Sequence, residues 1–109
     1  GQPIAAFQNT RFKLAELEAQ VRVNKAYIES CKDRYDRGEL TAVDASVAKL
    51  TTTELQGKVA DECLQLFGGY GYTTEYPVSR DFVDARIQRI YGGTSEIMKE
   101  IIARDILGR

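Results

Sequence analysis

The sequence predicts an all-α protein, a single domain over residues 1–109 folded as an antiparallel four-helix, up-and-down bundle. Two observations carry that expectation. Apolar residues recur at helical spacing along two long segments and two short ones. The connections between them are brief, and each segment exposes one apolar stripe that only another helix covers. At 109 residues the chain is long enough for one core, since chains of this size bury roughly two thirds of their unfolded surface.

The first helix is expected from Pro3 to about Asp36, with Phe7, Leu14, Leu17, Val21, Ile28, Cys31 and Tyr35 on its buried stripe. Pro3 suits a first turn, where its missing N–H costs nothing, and Gly38 suits the left-handed residue past the end. Asn24 interrupts the stripe and either sets register or lies at its edge. Thr41 is the expected N-cap of a second helix, with Asp44 one turn on at the positive end of the dipole. That helix buries Val43, Val47, Leu50, Leu55, Val59, Cys63 and Leu66 and ends near the last of these. Thr51, Thr52 and Thr53 are mildly unfavourable in a helix, and the long flanking pattern carries them.

Between Phe67 and Tyr76 the glycines Gly68, Gly69 and Gly71 interleave with aromatic residues and break the helical period, which requires a shaped loop. Pro77 opens a third, shorter helix with Phe82, Val83, Ile87 and Ile90 inward, and Gly92-Gly93 ends it. A fourth helix follows from about Thr94, burying Ile97, Met98, Ile101, Ile102 and Ile106.

Hydrophobic residues at 43% and charged residues at 28% are ordinary for a soluble globular protein, and a net charge of −1 supplies no field for nucleic acid or anionic lipid. No apolar run approaches the ~20 residues that cross a bilayer. No basic stretch followed by an apolar block opens the chain. Membrane insertion is therefore not expected, and a cytoplasmic type of compartment is. Cys31 and Cys63 lie on separate helical segments without C-x-x-C spacing and read as reduced core thiols. The absence of histidine removes the commonest general base near neutral pH and the commonest zinc ligand, so no metal site is expected. The opening Gly1-Gln2-Pro3, without an initiating Met, is what a piece of a longer protein would show.

The candidate chemistry lies at two glycine-bearing junctions. In Tyr91-Gly92-Gly93-Thr94-Ser95-Glu96, free backbone N–H groups at a helix start, with the hydroxyls of Thr94 and Ser95, suit a phosphate or another electron-rich edge. An ordinary capped turn accounts for the same residues. Gln65-Leu66-Phe67-Gly68-Gly69-Tyr70-Gly71 follows a helix, so it is either a C-terminal stop with aromatics plugging a seam or a ligand contact. No strand precedes it, which excludes a dinucleotide-binding fingerprint. Gln65 has an amide that both donates and accepts beyond the fold. Arg11, Lys13, Glu16, Glu18, Arg22 and Lys25 read mostly as the wet face of the first helix, and Lys32 to Arg37 as a solvated, alternately charged end. No carboxylate pair marks an acid and base couple, so the chain is not expected to hold a self-sufficient active site.

The run from Gln65 to Tyr72, followed by Glu75-Tyr76-Pro77-Val78, resembles the acyl-CoA dehydrogenase signature. Asp84-Ala85-Arg86-Ile87, Ile90-Tyr91, Gly93-Thr94-Ser95-Glu96-Ile97 and Ile102-Ala103-Arg104 are similar to the same family's closing helices. The opening, Gly1 to Gln8 with Phe12-Lys13-Leu14-Ala15, resembles the start of its long C-terminal helix. The resemblance covers nearly the whole chain. It implies the C-terminal helical domain of a three-part enzyme, with FAD held between this domain and a middle β domain. A further bundle helix would lie upstream of Gly1, so a bare apolar seam is expected on the first or second helix.

In the enzymes that the chain resembles, a glutamate removes the α-proton of an acyl-CoA thioester while the β-hydride passes to flavin. Electrons then leave through an electron-transfer flavoprotein. The resemblance implies that Gln65, Leu66, Phe67, Gly68 and Gly69 contact the FAD of a partner subunit, and that Gln8 does likewise. Thr94, Ser95 and Glu96 would line the FAD of the same subunit, and Gly93 would lie against the substrate thioester. The implied assembly is a homotetramer, a dimer of dimers. Glycine suits both junctions because close backbone approach to a ligand needs no Cβ.

The sequence departs from the family at Gly92, where many members place the catalytic glutamate. In the long-chain and isovaleryl branches that glutamate sits instead on the upstream helix, before Gly1 here. Val83, in place of the commoner Arg, together with Tyr91-Gly92-Gly93-Thr94, resembles the long-chain branch. The chain by itself is then expected to be inactive, to bind FAD weakly at best, and to self-associate through its bare seam. Two other readings stay open: a flavin hydroxylase or nitroalkane oxidase on the same scaffold, or a helical assembly module without catalysis.

Overall fold

The computed structural model describes all 109 residues. Helix α1 runs Gln8–Asp36, α2 Ala42–Phe67, α3 Pro77–Ile87 and α4 Ser95–Leu107, with short 3₁₀ turns at Ile4–Ala6 and Gly68–Tyr72. The all-α expectation holds, with four helices and no strand.

The boundaries follow local chemistry. Thr41 caps α2 with a reciprocal pair: its hydroxyl accepts from the Asp44 N–H at 3.0 Å, and the Asp44 carboxylate accepts from the Thr41 N–H at 3.3 Å. Gly38, Gly68 and Gly108 sit at φ 71, 65 and 73°, where a side chain would be strained, and follow the ends of α1, α2 and α4. Pro77 occupies the first turn of α3.

Two boundaries differ from expectation. Helix α1 starts at Gln8 rather than Pro3, because Ile4–Ala6 forms a separate 3₁₀ turn and the extended Phe7 (ψ 138°) breaks the helical backbone between the two. Helix α3 stops at Ile87, and the chain turns there through Ile90 N–H and Tyr91 N–H, both donating to the Ile87 carbonyl. The seven residues between α3 and α4, Gln88 to Thr94, thus form a shaped turn rather than a helical end.

Helix α2 is the hub against which α1, α3 and α4 all pack. Its register on α1 is antiparallel, fixed by Lys13–Glu62 at 3.0 Å near one end and Arg34–Asp44 at 2.8 Å near the other. Between them Asn24 donates to Thr51 Oγ1 at 2.9 Å and accepts from Thr52 at 3.1 Å, so the polar break in α1 and the threonine run in α2 answer each other. Lys13 and Arg34 were expected on solvated faces. Each instead turns toward α2, with about a third or less of its side chain exposed (31% and 28%).

The apolar stripes form but find little cover. Only 11 of 109 residues are buried, and the hydrophobic ones among them are Leu17, Cys31, Ala60, Ala85 and Met98. The expected core positions Phe7, Leu14, Val21, Tyr35, Val83, Ile87, Ile90, Ile97 and Ile106 are exposed. The closest packing runs instead through small residues, Ser46, Thr53, Ala60, Ser79, Ala85 and Ser95, where helices approach without long side chains between them.

The molecule measures 56 × 27 × 24 Å with a radius of gyration of 16.9 Å, against about 13 Å for a compact chain of this length. Its 7930 Å² of accessible surface exceeds by roughly 1,800 Å² that of a closed monomer of its mass. An apolar groove of about 800 Å³ lies between α1 and α2 and is lined by Val23, Tyr27, Val47 and Leu55 among others. It falls on the seam expected to be bare.

Candidate functional site

The first junction closes α2. Gln65 is exposed on the last turn, Leu66 is half-buried, and Phe67 is 49% exposed. The ring of Phe67 lies 5.7 Å from that of Tyr76, which in turn lies 5.8 Å from that of Tyr70. Gly71 makes this cluster possible: a Cβ there would stand 2.7 Å from the Leu64 carbonyl oxygen and 2.8 Å from Phe67 Cβ. At Gly68 and Gly69, by contrast, nothing lies within 4 Å of a Cβ position. Their backbone faces open space. The antiparallel register that joins Lys13 to Glu62 brings Gln8, at the start of α1, to this same end of α2.

The second junction is built against the middle of α2. Thr94 caps α4, its hydroxyl accepting from the Ile97 N–H at 3.2 Å. The Ser95 hydroxyl donates to Glu54 Oε1 at 2.6 Å, Arg89 donates to Glu54 Oε2 at 3.1 Å, and the Ser95 N–H donates to the Arg89 carbonyl at 3.1 Å. The Ser95 hydrogen bond is the largest influence and holds the Glu54 carboxyl below the usual range; burial opposes it, and the hydrogen bond and charge of Arg89 add to the lowering. Lys49 donates to the Tyr91 carbonyl at 2.8 Å and to the Gly93 carbonyl.

The turn itself needs glycine. Gly92 sits at φ 65° and Gly93 at φ 110°, and a Cβ on Gly93 would stand 2.6 Å from Met98 Cε. With the carbonyls on either side of Gly92 held by Lys49, the N–H groups of Gly92, Gly93, Thr94 and Glu96 make no hydrogen bond to the chain. Glu96 is exposed, and Ser95 is buried at 7%. The Ser95 hydroxyl is thus spent on Glu54, whereas the Thr94 hydroxyl accepts from Ile97 and keeps its own proton to donate, beside the free backbone N–H groups of this junction.

The candidate residues therefore fall into two groups. Gln8 and Gln65 to Gly69 gather at one end of α2. Gly93 to Glu96 gather near Glu54, roughly 20 Å away along the helix at ~1.5 Å per residue. Sequence reasoning passed over Lys49, Glu54 and Arg89. A glutamate and a lysine inside a long amphipathic helix read as ordinary solvated positions, and their partners lie 35 to 44 residues further along the chain.

A protein-family model described as "Acyl-CoA dehydrogenase, C-terminal domain" matches residues 1–107. The mitochondrial long-chain specific acyl-CoA dehydrogenase of Sus scrofa is 49% identical over 107 residues, covering 98% of this chain and 25% of that protein. The chain thus spans about a quarter of the length of the curated relatives it matches. Butyryl-CoA dehydrogenase from Megasphaera elsdenii superposes with a TM-score of 0.93 at 36% identity, over 98% of this chain and 28% of that one. A chain solved in work on the electron transferring flavoprotein of Acidaminococcus fermentans superposes with a TM-score of 0.94 at 28% identity, over 100% of this chain and 29% of that one. Sequence, fold and the two glycine junctions agree, and the chain belongs to the acyl-CoA dehydrogenase family, of which it forms the C-terminal helical domain.

Proposed function

We propose that the chain is the flavin-binding and subunit-assembling part of a long-chain type acyl-CoA dehydrogenase, which oxidises the α,β bond of acyl-CoA thioesters in fatty-acid β-oxidation. By itself it is inactive. The observation that carries this reading is the separation of the two candidate groups by the length of α2. A single chain arranged so serves two sites: Gln8, Gln65, Leu66, Phe67, Gly68 and Gly69 toward the FAD of a partner subunit, and Thr94, Ser95 and Glu96 toward its own.

The residues fit that cofactor. Half-exposed Phe67, beside the open backbone of Gly68 and Gly69, suits the flat face of a ring system, and the Gln65 amide suits its polar edge. When bound, FAD supplies the acceptor for the β-hydride. Gly93 presents its backbone to the thioester, and Gly92 brings no carboxylate, so the α-proton is taken by a glutamate from the sequence upstream of Gly1. Electron-transfer flavoprotein, acyl-CoA and three further copies of the subunit are the proposed partners. Cys31 and Cys63 are free thiols, which supports a reducing, cytoplasmic type of compartment.

The test is dehydrogenation by the full-length protein that contains this chain, with an artificial electron acceptor and saturated acyl-CoA thioesters from short to long. Turnover that favours long chains is expected. No turnover of any thioester by a protein that retains FAD would instead favour the hydroxylase or nitroalkane oxidase reading, to which Gly92 is equally suited.

A further inference from the structure

Lys49 reaches from α2 to the turn before α4 and is spent entirely on backbone. Its ammonium donates to the Tyr91 carbonyl at 2.8 Å and to the Gly93 carbonyl. It takes part in none of the chain's seven ion pairs, although Glu54 lies on the same helix and already serves Arg89 and Ser95. An ammonium held by two carbonyls keeps its charge unneutralised.

The consequence follows from peptide geometry. The Tyr91 carbonyl belongs to the peptide whose N–H is on Gly92, and the Gly93 carbonyl to the peptide whose N–H is on Thr94. Both N–H groups are without a partner in the chain. A cation on the carbonyl side polarises each peptide and strengthens its N–H as a donor on the opposite edge. The two positive φ values at Gly92 and Gly93 set those edges, and the Lys49 bridge across Gly92 holds them.

We infer that Lys49 is a positioning residue: it locks the Gly92–Thr94 turn and charges its N–H edges to polarise the thioester carbonyl of a bound acyl-CoA. The inference rests on the proposed dehydrogenase reading, in which Gly93 lies against that thioester. As the α-proton leaves, negative charge grows on the thioester oxygen, and donors aimed at such a charge in a closed site lower the barrier most. Lys49 acts on the reacting atoms through the turn, so its removal affects the chemical step more than substrate affinity.

The experiment uses the full-length flavoprotein and its Lys49→Met, Lys49→Gln and Lys49→Arg variants. Two quantities are read: kcat and KM for a saturated acyl-CoA, and the red shift of a bound cinnamoyl-type CoA thioester, whose absorption reports carbonyl polarisation. Lys49→Met is expected to lower kcat at least tenfold with KM within about twofold, and to lose most of the red shift. Lys49→Gln, which keeps a donor but no charge, is expected to follow it, and Lys49→Arg to retain much of both. Should Lys49→Met fail to hold flavin, Lys49→Gln carries the comparison. A wild-type red shift and kcat in the uncharged variants, or equal losses in Lys49→Arg and Lys49→Met, would overturn the inference. A wild-type protein that neither turns over nor binds any acyl-CoA would overturn the dehydrogenase reading instead.

Discussion

Ser95, the first residue of α4, donates its hydroxyl to Glu54 near the middle of α2 at 2.6 Å. The same carboxylate takes Arg89, just past α3, so one side chain of the hub helix joins the three elements that shape the second junction. Removing it leaves a guanidinium and a hydroxyl without their acceptor. Glu54→Ala is expected to destabilise the chain by about 1 kcal/mol, reduced from the value of a buried charged hydrogen bond because the site is partly open to water. Circular-dichroism melts would check this, and an unchanged midpoint would refute it.

Acid is expected to loosen the fold at the same place. The Glu54 carboxyl lies below its ordinary pKa through Ser95 first and Arg89, and Asp44 lies below its own through the Thr41 hydroxyl, the Thr41 N–H and then Arg34. A carboxylate whose folded pKa is depressed adds stability that is fully present above its unfolded pKa and is lost as pH falls through the folded value. Stability should therefore be level from neutral pH down to about 5 and fall below about 4. Glu54→Gln should flatten part of that acid limb, which denaturant titrations at a series of pH values would read.

The glycines of the first junction should respond to the same change for different reasons. Gly71→Ala places a methyl 2.7 Å from a carbonyl oxygen of the helix end, so the 3₁₀ turn must shift; a loss of about 2 kcal/mol is expected. Gly68→Ala meets no atom within 4 Å but must hold φ 65° with ψ −146°, a conformation essentially confined to glycine, for about 2 kcal/mol of backbone strain alone. Urea titrations should show both losses, and an unchanged stability of Gly71→Ala would contradict the packing described for Gly71.

The uncovered surface predicts association. A standard protein interface removes about 800 Å² from each partner, well within the excess area of this chain. Light scattering over a concentration series should show a mass above that of the monomer, rising with concentration. Val23→Glu, at a 73% exposed position lining the groove between α1 and α2, should reduce it. A strictly monomeric mass at high concentration would count against the seam.

Helix positions were legible because their signals are local. Thr41 with Asp44, Pro77, Thr94 and the glycines after α1 and α2 each act within one turn of where they stand. Core composition was not legible. The stripes of Leu14, Val21, Ile87 and Ile106 are genuine, but nothing in this chain covers them, and a periodicity does not say whether its partner lies on the same chain. The small-residue contacts at Ser46, Thr53, Ala60 and Ala85 depend on how α1, α3 and α4 are rotated about α2, which only the assembled structure fixes. At the candidate site the glycine breaks were visible as breaks. Lys49 and Glu54 were invisible because each partner lies on the far side of two turns and a helix.

The proposal that one chain serves two flavins is best checked by a structure of the FAD-loaded full-length protein. Gln8 and the segment from Gln65 to Gly69 should touch one FAD, while Thr94, Ser95 and Glu96 touch another. Both groups meeting the same FAD, or neither meeting any, would rule out a chain shared between two flavins.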